Sequence, residues 1–143
     1  MNAATILKAK GGGAITIRPG ASLEEAAQLM TERGIGCVVV AERNGGPVGI
    51  LSERDVVREV ALGGASRLKS PVAEAMTRHI HTCQLDDTID HLMAVMTARR
   101  FRHVPVVEDG ELIGIVSIGD VVKFRIAEAE METQAMRAYI TTG

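Results

Sequence analysis

The sequence has few aromatic residues, few cysteines and no long apolar run. Aromatic residues make up 2% of the 143 residues and tryptophan is absent, so the chain lacks the stacking surfaces used to bind single-stranded nucleic acids. A formal net charge of -2 also argues against a nucleic-acid partner. No apolar run approaches the roughly 18 residues of a transmembrane helix, so we expect no membrane partner. Two cysteines, Cys37 and Cys83, form no disulfide framework and favour a cytoplasmic location.

An internal duplication covers most of the chain. Residues 45–57 have the sequence GGPVGILSERDVV and residues 110–122 have GELIGIVSIGDVV, with identity at seven of thirteen positions. Unrelated segments would share about one position at ordinary residue frequencies. The similarity extends over about Ala14–Leu62 and His79–Ala127. We therefore predict one module built from two similar halves, which we call copy one and copy two.

Each copy shows the same predicted order of elements, β-α-β-β-α. A short extended segment precedes a helix that begins after Ser22 or Thr88, which are typical capping residues. Two apolar runs follow, joined by the hairpin dipeptides Asn44-Gly45 and Asp109-Gly110. A second helix then follows the repeated string Gly-x-x-Ser-x-x-Asp. The predicted fold class is α/β (α+β), with two such units packed with pseudo-two-fold symmetry and apolar strands covered on both faces.

The segments outside the two copies define the predicted boundaries. We assign residues 1–66 to copy one with an N-terminal lead, 67–127 to copy two and 128–143 to a C-terminal helical extension. Residues 63–69 indicate a flexible connector, after which Ser70-Pro71 predicts a short helix through Met76. Residues 5–7 are a candidate for the equivalent turn before copy one. The last helix carries more apolar residues than one small unit needs, so we expect it to pack across a dimer or over the module's edge.

The repeated Ser-x-x-Asp strings, Ser52 to Asp55 and Ser117 to Asp120, allow two interpretations. The first is structural, because serine and an acid three residues later form a helix capping box. The second is functional, because a helix N-terminus attracts phosphate and an acid can accept hydrogen bonds from ribose hydroxyls. The occurrence of the pair at equivalent points of both copies favours nucleotide binding at two related sites.

These features together resemble the CBS domain, named for cystathionine β-synthase, and two such domains in tandem resemble a Bateman module. The resemblance rests on the duplicated unit, the two Gly-x-x-Ser-x-x-Asp strings and the segments 72–77 and 102–107. It implies a compact disc with two clefts between the copies. The expected ligands are adenosyl compounds, namely AMP, ADP or ATP, with NAD(H) or S-adenosylmethionine as further candidates. A homodimer is the expected assembly.

The resemblance also implies which residues line the clefts. Asp55 and Asp120 match the ribose-binding acid, and Ser52 and Ser117 match the hydroxyl on the phosphate side. The first-strand ends, expected to meet adenine through backbone atoms, are Thr16, Ile17, Thr82 and Cys83. The entries to the second strand, expected to face the ligand, are Gly36 with Cys37 and Arg102 with His103, followed by Pro105. Arg54 is a further candidate for phosphate, with a surface role as its alternative.

The two copies differ at the entry to the second strand, so we expect two non-equivalent clefts. Arg102 offers a planar fork for phosphate. His103, with an ordinary pKa near 6.5, would gain charge as the pH falls. A solvated strand edge is the alternative for both residues. The nearby Arg99 and Arg100 indicate a solvated helix end, where cations suit the helix dipole.

Catalytic and metal-binding patterns are weak in this sequence. His79, His81 and Cys83 alternate along one predicted strand, but no fourth ligand is evident, so we expect no metal. No triad, carboxylate pair or phosphate loop falls into one pocket, so we expect no enzyme. The leading hypothesis is a stand-alone regulatory module that senses adenine nucleotides and signals to an unidentified protein. The alternatives are a structural dimerisation module with empty clefts and a small enzyme or metal protein centred on the histidines.

Overall fold

The structure is a computed structural model that describes residues 1–43 and 45–142. Asn44, half of the first predicted turn dipeptide, and Gly143, the end of the predicted C-terminal extension, lie outside the described residues. The elements up to the connector are α1 (Ala3–Lys10), β1 (Thr16–Ile17), α2 (Leu23–Arg33), β2 (Cys37–Ala41), β3 (Pro47–Ser52) and α3 (Glu53–Gly63). The later elements are α4 (Ile89–Arg99), β4 (His103–Glu108), β5 (Glu111–Ser117) and α5 (Ile118–Thr142).

The predicted order is confirmed in copy one and largely in copy two. In copy one, β1 pairs in parallel with β2, and β2 pairs antiparallel with β3, with Val39 opposite Ile50. In copy two, β4 and β5 form an antiparallel pair. The first extended segment of copy two is not a full strand there, because Cys83 makes only an isolated bridge to Val106.

The local sequence explains where these elements begin and turn. Ser22 Oγ accepts a hydrogen bond from the Glu25 N–H (3.1 Å), and Glu25 Oε2 accepts one from the Ser22 N–H (3.3 Å), which is the predicted capping box. Asp109 and Gly110 both adopt positive φ angles, 51° and 80°, between β4 and β5. Such a pair of left-handed residues suits the twist of a two-residue hairpin, as the Asp-Gly dipeptide predicts.

The connector between the copies is ordered, so the prediction of a flexible segment was wrong. Residues Ala65–Lys69 form a 3₁₀ helix. Arg67 donates two hydrogen bonds to Glu59 Oε2 on α3, from Nε at 3.1 Å and from Nη2 at 2.7 Å. A planar guanidinium bound to a carboxylate through two N–H groups fixes the turn against the helix.

The segment that leads into each copy packs on the other copy. From α1, Ala3, Ile6 and Leu7 are buried in the core of copy two. The predicted short helix before copy two is a 3₁₀ turn, Val72–Glu74, and Val72 is buried in the core of copy one. The predicted division of the chain at residues 66 and 127 stays a prediction, but the two hydrophobic cores are built by this exchange of lead segments.

The repeated glycine before each Ser-x-x-Asp string makes room for this exchange. A Cβ atom on Gly114 would lie 2.5 Å from Leu7 Cδ2, and one on Gly49 would lie 2.6 Å from Met76 Sδ and 2.9 Å from the Thr77 carbonyl oxygen. A Cβ atom does not approach another non-bonded atom this closely in a packed core. The glycines therefore allow the exchanged segments to lie directly on the strands.

The final helix α5 runs well past the body of copy two. Its first half packs on copy two through Phe124 and through Arg125, which pairs with Asp90 on α4. Its later large apolar side chains are exposed, so the second half does not pack over the edge of the module, which was one of the two expectations. The exposed apolar residues of α5 are Val122, Ile126, Met131, Met136, Tyr139 and Ile140. Packing across a dimer, the other expectation, stays a prediction.

Candidate functional site

Two clefts lie at the junction of the copies, one beside each Ser-x-x-Asp string. The first cleft, about 480 Å³, contains Ser52 and Asp55 of copy one and faces Arg102 of copy two. The second cleft, about 270 Å³, contains Ser117 of copy two and faces Gly36 and Cys37 of copy one. Gly36 and His103 line both clefts, so the two sites are neighbours.

In the first cleft, Asp55 is held by the start of its own helix. Its Oδ2 accepts hydrogen bonds from the Ser52 N–H (2.8 Å) and from Ser52 Oγ (3.0 Å), while the Asp55 N–H donates to Ser52 Oγ (3.3 Å). Its Oδ1 accepts a hydrogen bond from Arg58 Nη2 at 2.7 Å. Asp55 is only 6% exposed, and the exposed side chain of Arg58 supplies its counter-charge. The structural interpretation of this Ser-Asp pair as a capping box is therefore confirmed.

Asp120 is bonded to Ser117, which lines the second cleft, but is not itself among the lining residues, and its counter-charge comes from a distant part of the chain. Asp120 Oδ2 accepts hydrogen bonds from the Ser117 N–H (3.0 Å) and from Lys10 Nζ at the end of α1 (2.8 Å). The same ammonium group donates to the Ile115 carbonyl oxygen at 3.0 Å. Burial would raise the pKa of Asp120, but the hydrogen bonds from Lys10 and Ser117 and the charge of Lys10 lower it below its ordinary value.

The first cleft concentrates positive charge. Four arginines line it, and the lining carboxylates are Glu53 and Asp55. The arginines are Arg54, Arg99, Arg100 and Arg102. The sequence had indicated only a solvated helix end for Arg99 and Arg100. They line the cleft because α4 ends at Arg99, and Arg100 turns the chain with a left-handed φ of 59°.

The pKa of His103, which lines both clefts, lies below that of an ordinary histidine. Burial lowers its pKa, and the nearby positive charges of Lys10 and Arg102 act in the same direction, while Asp120 opposes them. The gain of charge that the sequence indicates for His103 therefore requires a lower pH than in an ordinary histidine. Its position at the start of β4, opposite Ser117, explains this burial.

The four predicted adenine-side residues and Pro105 of the second strand lie outside the clefts. Thr16 and Ile17 line an open depression with residues 18–21, and Thr82 and Cys83 line another with residues 84–87. Pro105 is buried in β4, opposite Ile115, and lines neither cleft. In each copy, a residue just before these positions does reach a cleft. Ile15 lines the second cleft and Ile80 lines the first. The chain leaves the clefts after these two residues.

Both cysteines are free thiols. Burial raises the pKa of Cys37 to about 11, against the opposing charge of Lys10, and burial raises the pKa of Cys83 to about 12. Both thiols are therefore protonated at neutral pH and behave as small apolar side chains.

Residues 1–43 and 45–142, which the structure describes, contain no cluster of metal ligands and no membrane-spanning helix. Among these residues, no group of three or more His, Cys, Asp or Glu side chains is arranged to hold a metal ion. The ring of His81 instead stacks on that of Phe101, with centroids 6.2 Å apart. None of the described helices combines the length and the apolar character that crossing a membrane requires.

Comparison with curated proteins finds CBS domain relatives. The chain is 35% identical over 123 residues to the mitochondrial CBS domain-containing protein CBSX3 of Arabidopsis thaliana, covering 83% of this chain and 60% of the relative. It is 29% identical over 105 residues to the CBS domain-containing protein YhcV of Bacillus subtilis, covering 73% and 74%. The chain spans between 33% and 64% of the length of the first curated relatives it matches.

Solved structures show the same fold. The CBS-domain containing protein ATU1752 of Agrobacterium tumefaciens is 46% identical with a TM-score of 0.81, covering 87% of this chain and 99% of that one. The CBS domain pair of protein MJ0100, solved with 5-methylthioadenosine and S-adenosyl-L-methionine, is 26% identical with a TM-score of 0.77, covering 90% and 98%. The family model for the CBS domain matches residues 13–62 and 72–127. The chain therefore belongs to the CBS domain family and contains two CBS motifs in tandem.

Proposed function

We propose that this chain is a regulatory module whose first cleft binds an adenine nucleotide or a related adenosyl compound. The observation that carries the proposal is the position of the α3 N-terminus, with Ser52 and Asp55, opposite Arg99, Arg100 and Arg102 in one cleft. At about 480 Å³, the cleft lies within the range of roughly 300–1,000 Å³ that is typical of small-molecule sites. The related pair of MJ0100, which holds two adenosyl compounds, supports this choice of ligand class.

The residues of the first cleft suit the two ends of a nucleotide. Phosphate oxygens would accept hydrogen bonds from the arginines, and the dipole of α3 would favour their negative charge. The ribose hydroxyls would donate to Asp55, whose Oδ1 now pairs with Arg58. Because the Arg58 side chain is 56% exposed, it can turn into solvent when the ribose takes its place. The adenine would lie near Ile50 and Ile80, which are apolar lining residues of the same cleft.

A ligand in this cleft would connect the two copies. The Ser52–Asp55 end belongs to copy one, and Arg102 belongs to copy two, so phosphate would draw α3 towards the α4–β4 junction. A ligand shifts such an equilibrium only by binding one arrangement more tightly than the other. We propose that AMP, ADP, ATP or NAD(H) acts in this way through its phosphates, and S-adenosylmethionine through its carboxylate, without catalysis by this chain. The exposed part of α5 would pass the change to a partner protein, and a cytoplasmic location stays a prediction.

A homodimer is part of the same proposal. Val57 on α3 and Val122 on α5 occupy equivalent repeat positions, and both are exposed, to 67% and 42%. Leu62 and Ile126 are further exposed apolar residues on the same two helices. A second copy of the chain would cover Val57 and Val122 at once, because they occupy equivalent positions of the repeat. Sedimentation velocity should give a dimer for the wild type and a monomer for Val57→Asp, and a monomeric wild type would contradict this part.

A second candidate function rests on the hydrogen bonds of the Ser-Asp pairs. Both aspartates already cap their helices and both have a cationic partner, so neither needs a ligand. On this basis the chain would be a structural dimerisation module whose clefts stay empty.

Isothermal titration calorimetry separates the two candidates. AMP, ATP, NADH and S-adenosylmethionine are titrated into wild type, Asp55→Asn and Arg102→Ala, with Thr16→Val as a control outside both clefts. The Asp55→Asn change keeps the side-chain volume and an oxygen for capping. It should weaken binding roughly 10- to 100-fold, because hydrogen bonds to a charged group contribute about 1.5–3 kcal/mol. Arg102→Ala should weaken ATP more than S-adenosylmethionine, and Thr16→Val should change neither.

If none of the four compounds gives a heat of binding, the result favours the structural module. Binding that is unchanged in Asp55→Asn and Arg102→Ala but lost in Thr16→Val would move the site to the open depression beside β1.

A further inference from the structure

The second cleft already contains a bound cation, the Lys10 ammonium group of the chain itself. Lys10 Nζ lies 2.8 Å from Asp120 Oδ2 and 3.0 Å from the Ile115 carbonyl oxygen. These are two acceptors at the end of β5 and the start of α5, beside Ser117. Asp120 is the residue that corresponds to Asp55 in the repeat, so Lys10 occupies the place at which a ribose would have to donate.

The position of Lys10 is fixed by the packing of α1. The helix is anchored in the core of copy two by Ala3, Ile6 and Leu7, all buried. It ends at Lys10, and Gly11 caps it with a φ of 92°. The Gly13 N–H then donates to the Ile113 carbonyl oxygen at 3.1 Å, which holds the following chain against β5. The chain is therefore held against copy two both before and after Lys10, and the Lys10 side chain lines the second cleft.

We infer that Lys10 is the specificity-determining residue of the second cleft, closing it to adenosyl ligands and leaving one ligand site per chain. The inference rests on the proposed function of the first cleft. With Lys10 in place the second cleft is about 270 Å³, below the roughly 300 Å³ at which small-molecule sites begin. The Lys10 ammonium group also brings Asp120 a positive charge that neutral ribose hydroxyls would not replace.

The two aspartates differ in how easily their positively charged partners, Arg58 and Lys10, can move away. Arg58, the partner of Asp55, lies on the same helix and is mostly exposed, so it leaves the first cleft by a rotation of its own side chain. Lys10 reaches Asp120 from α1, and its side chain is less exposed, at 37% against 56% for Arg58. Its Nζ atom also has a second acceptor, which Arg58 lacks among the described contacts. Release of Lys10 therefore breaks two hydrogen bonds, one to Asp120 and one to the Ile115 carbonyl oxygen.

The experiment counts ligand sites by isothermal titration calorimetry with AMP and ATP. Wild type should bind one equivalent per chain, and Lys10→Ala should bind two. The matched control is Lys8→Ala, an exposed lysine on the same helix, which should bind one. Lys10→Arg keeps the charge and should also bind one. The second change Asp120→Asn, added to Lys10→Ala, should weaken the second site alone, whereas Asp55→Asn in wild type should weaken the single site roughly 10- to 100-fold.

The outcomes separate this inference from the proposed function. One site in both wild type and Lys10→Ala overturns the inference and leaves the first cleft intact. Two sites in wild type, one of which weakens in Lys10→Ala, also overturn it and make Lys10 a phosphate ligand instead. No site in wild type but one in Lys10→Ala, weakened by Asp120→Asn, supports the inference while the first-cleft proposal fails. No binding by any variant overturns both.

Discussion

The two copies share a helix cap but differ in what neutralises it. In copy one, Asp55 pairs with Arg58 of its own helix, and in copy two, Asp120 pairs with Lys10 from the far end of the chain. The first cleft is lined by four arginines and is the larger of the two. A duplicated motif therefore does not guarantee two equivalent sites, because the residues that complete each site lie outside the motif.

The largest expected effect comes from the glycines that admit the exchanged lead segments. Gly49→Ala and Gly114→Ala should each lower the free energy of unfolding, by roughly 1–3 kcal/mol, because the new Cβ forces overpacking. We expect the greater loss for Gly49→Ala. An alanine Cβ at position 49 would clash with the Thr77 backbone oxygen as well as with the Met76 side chain. The three atoms nearest to an alanine Cβ at position 114 all belong to the Leu7 side chain, which can move more easily than backbone. Urea unfolding followed by circular dichroism measures both.

Gly20→Ala serves as the control for this pair, since nothing lies within 4 Å of a Cβ at that position. Equal stability of all three variants would mean that the lead segments do not pack as described.

A smaller effect is expected for the two capping serines. Ser52→Ala and Ser117→Ala each remove a helix cap, and such changes typically cost about 1 kcal/mol. Ser52→Ala should cost more, because Ser52 Oγ also donates to Asp55, which is more buried than Asp120. Chemical denaturation of the two variants beside wild type tests this order. A greater loss in Ser117→Ala would show that the second helix start is the more tightly held.

The smallest expected effect is a pH dependence that belongs to His103, the residue between the clefts. Its pKa is lowered in the folded state, so the unfolded chain binds the proton more readily. The free energy of unfolding should therefore fall as the pH decreases from about 6.5 towards the folded-state pKa. Unfolding at a series of pH values should show a shallower fall for His103→Gln than for wild type. An NMR titration that placed the His103 pKa above 6.5 would reverse the sign.

Much of the fold could be predicted from local sequence. The capping box of Ser22 and the Asp109-Gly110 turn depend on neighbouring residues, and the structure places both as expected. The flexible connector was the main error, because its order depends on the contact of Arg67 with Glu59, eight residues away. The composition of residues 63–69 alone does not predict this contact.

The candidate site was less predictable. The Ser-Asp pairs and Arg102 were identified by the repeat and the family resemblance, and the structure brings Ser52, Asp55 and Arg102 into one cleft. Lys10 was missed because its partner, Asp120, is 110 residues away. Arg99 and Arg100 were noticed as a basic cluster, but only the turn at Arg100 directs them to the cleft. The residues predicted on the adenine side, Thr16, Ile17, Thr82 and Cys83, stay a prediction, and they line open depressions outside the two clefts.

The sequence by itself determined that the chain is two copies of one β-α-β-β-α unit, with a Ser-x-x-Asp cap in each. Periodicity, capping and turn formation are local, so they can be deduced from residues a few positions apart. Only the tertiary structure decided that the lead segments are exchanged, that one cleft gathers arginines and that the other contains Lys10. Those outcomes depend on which distant residues the packing of the two cores brings together.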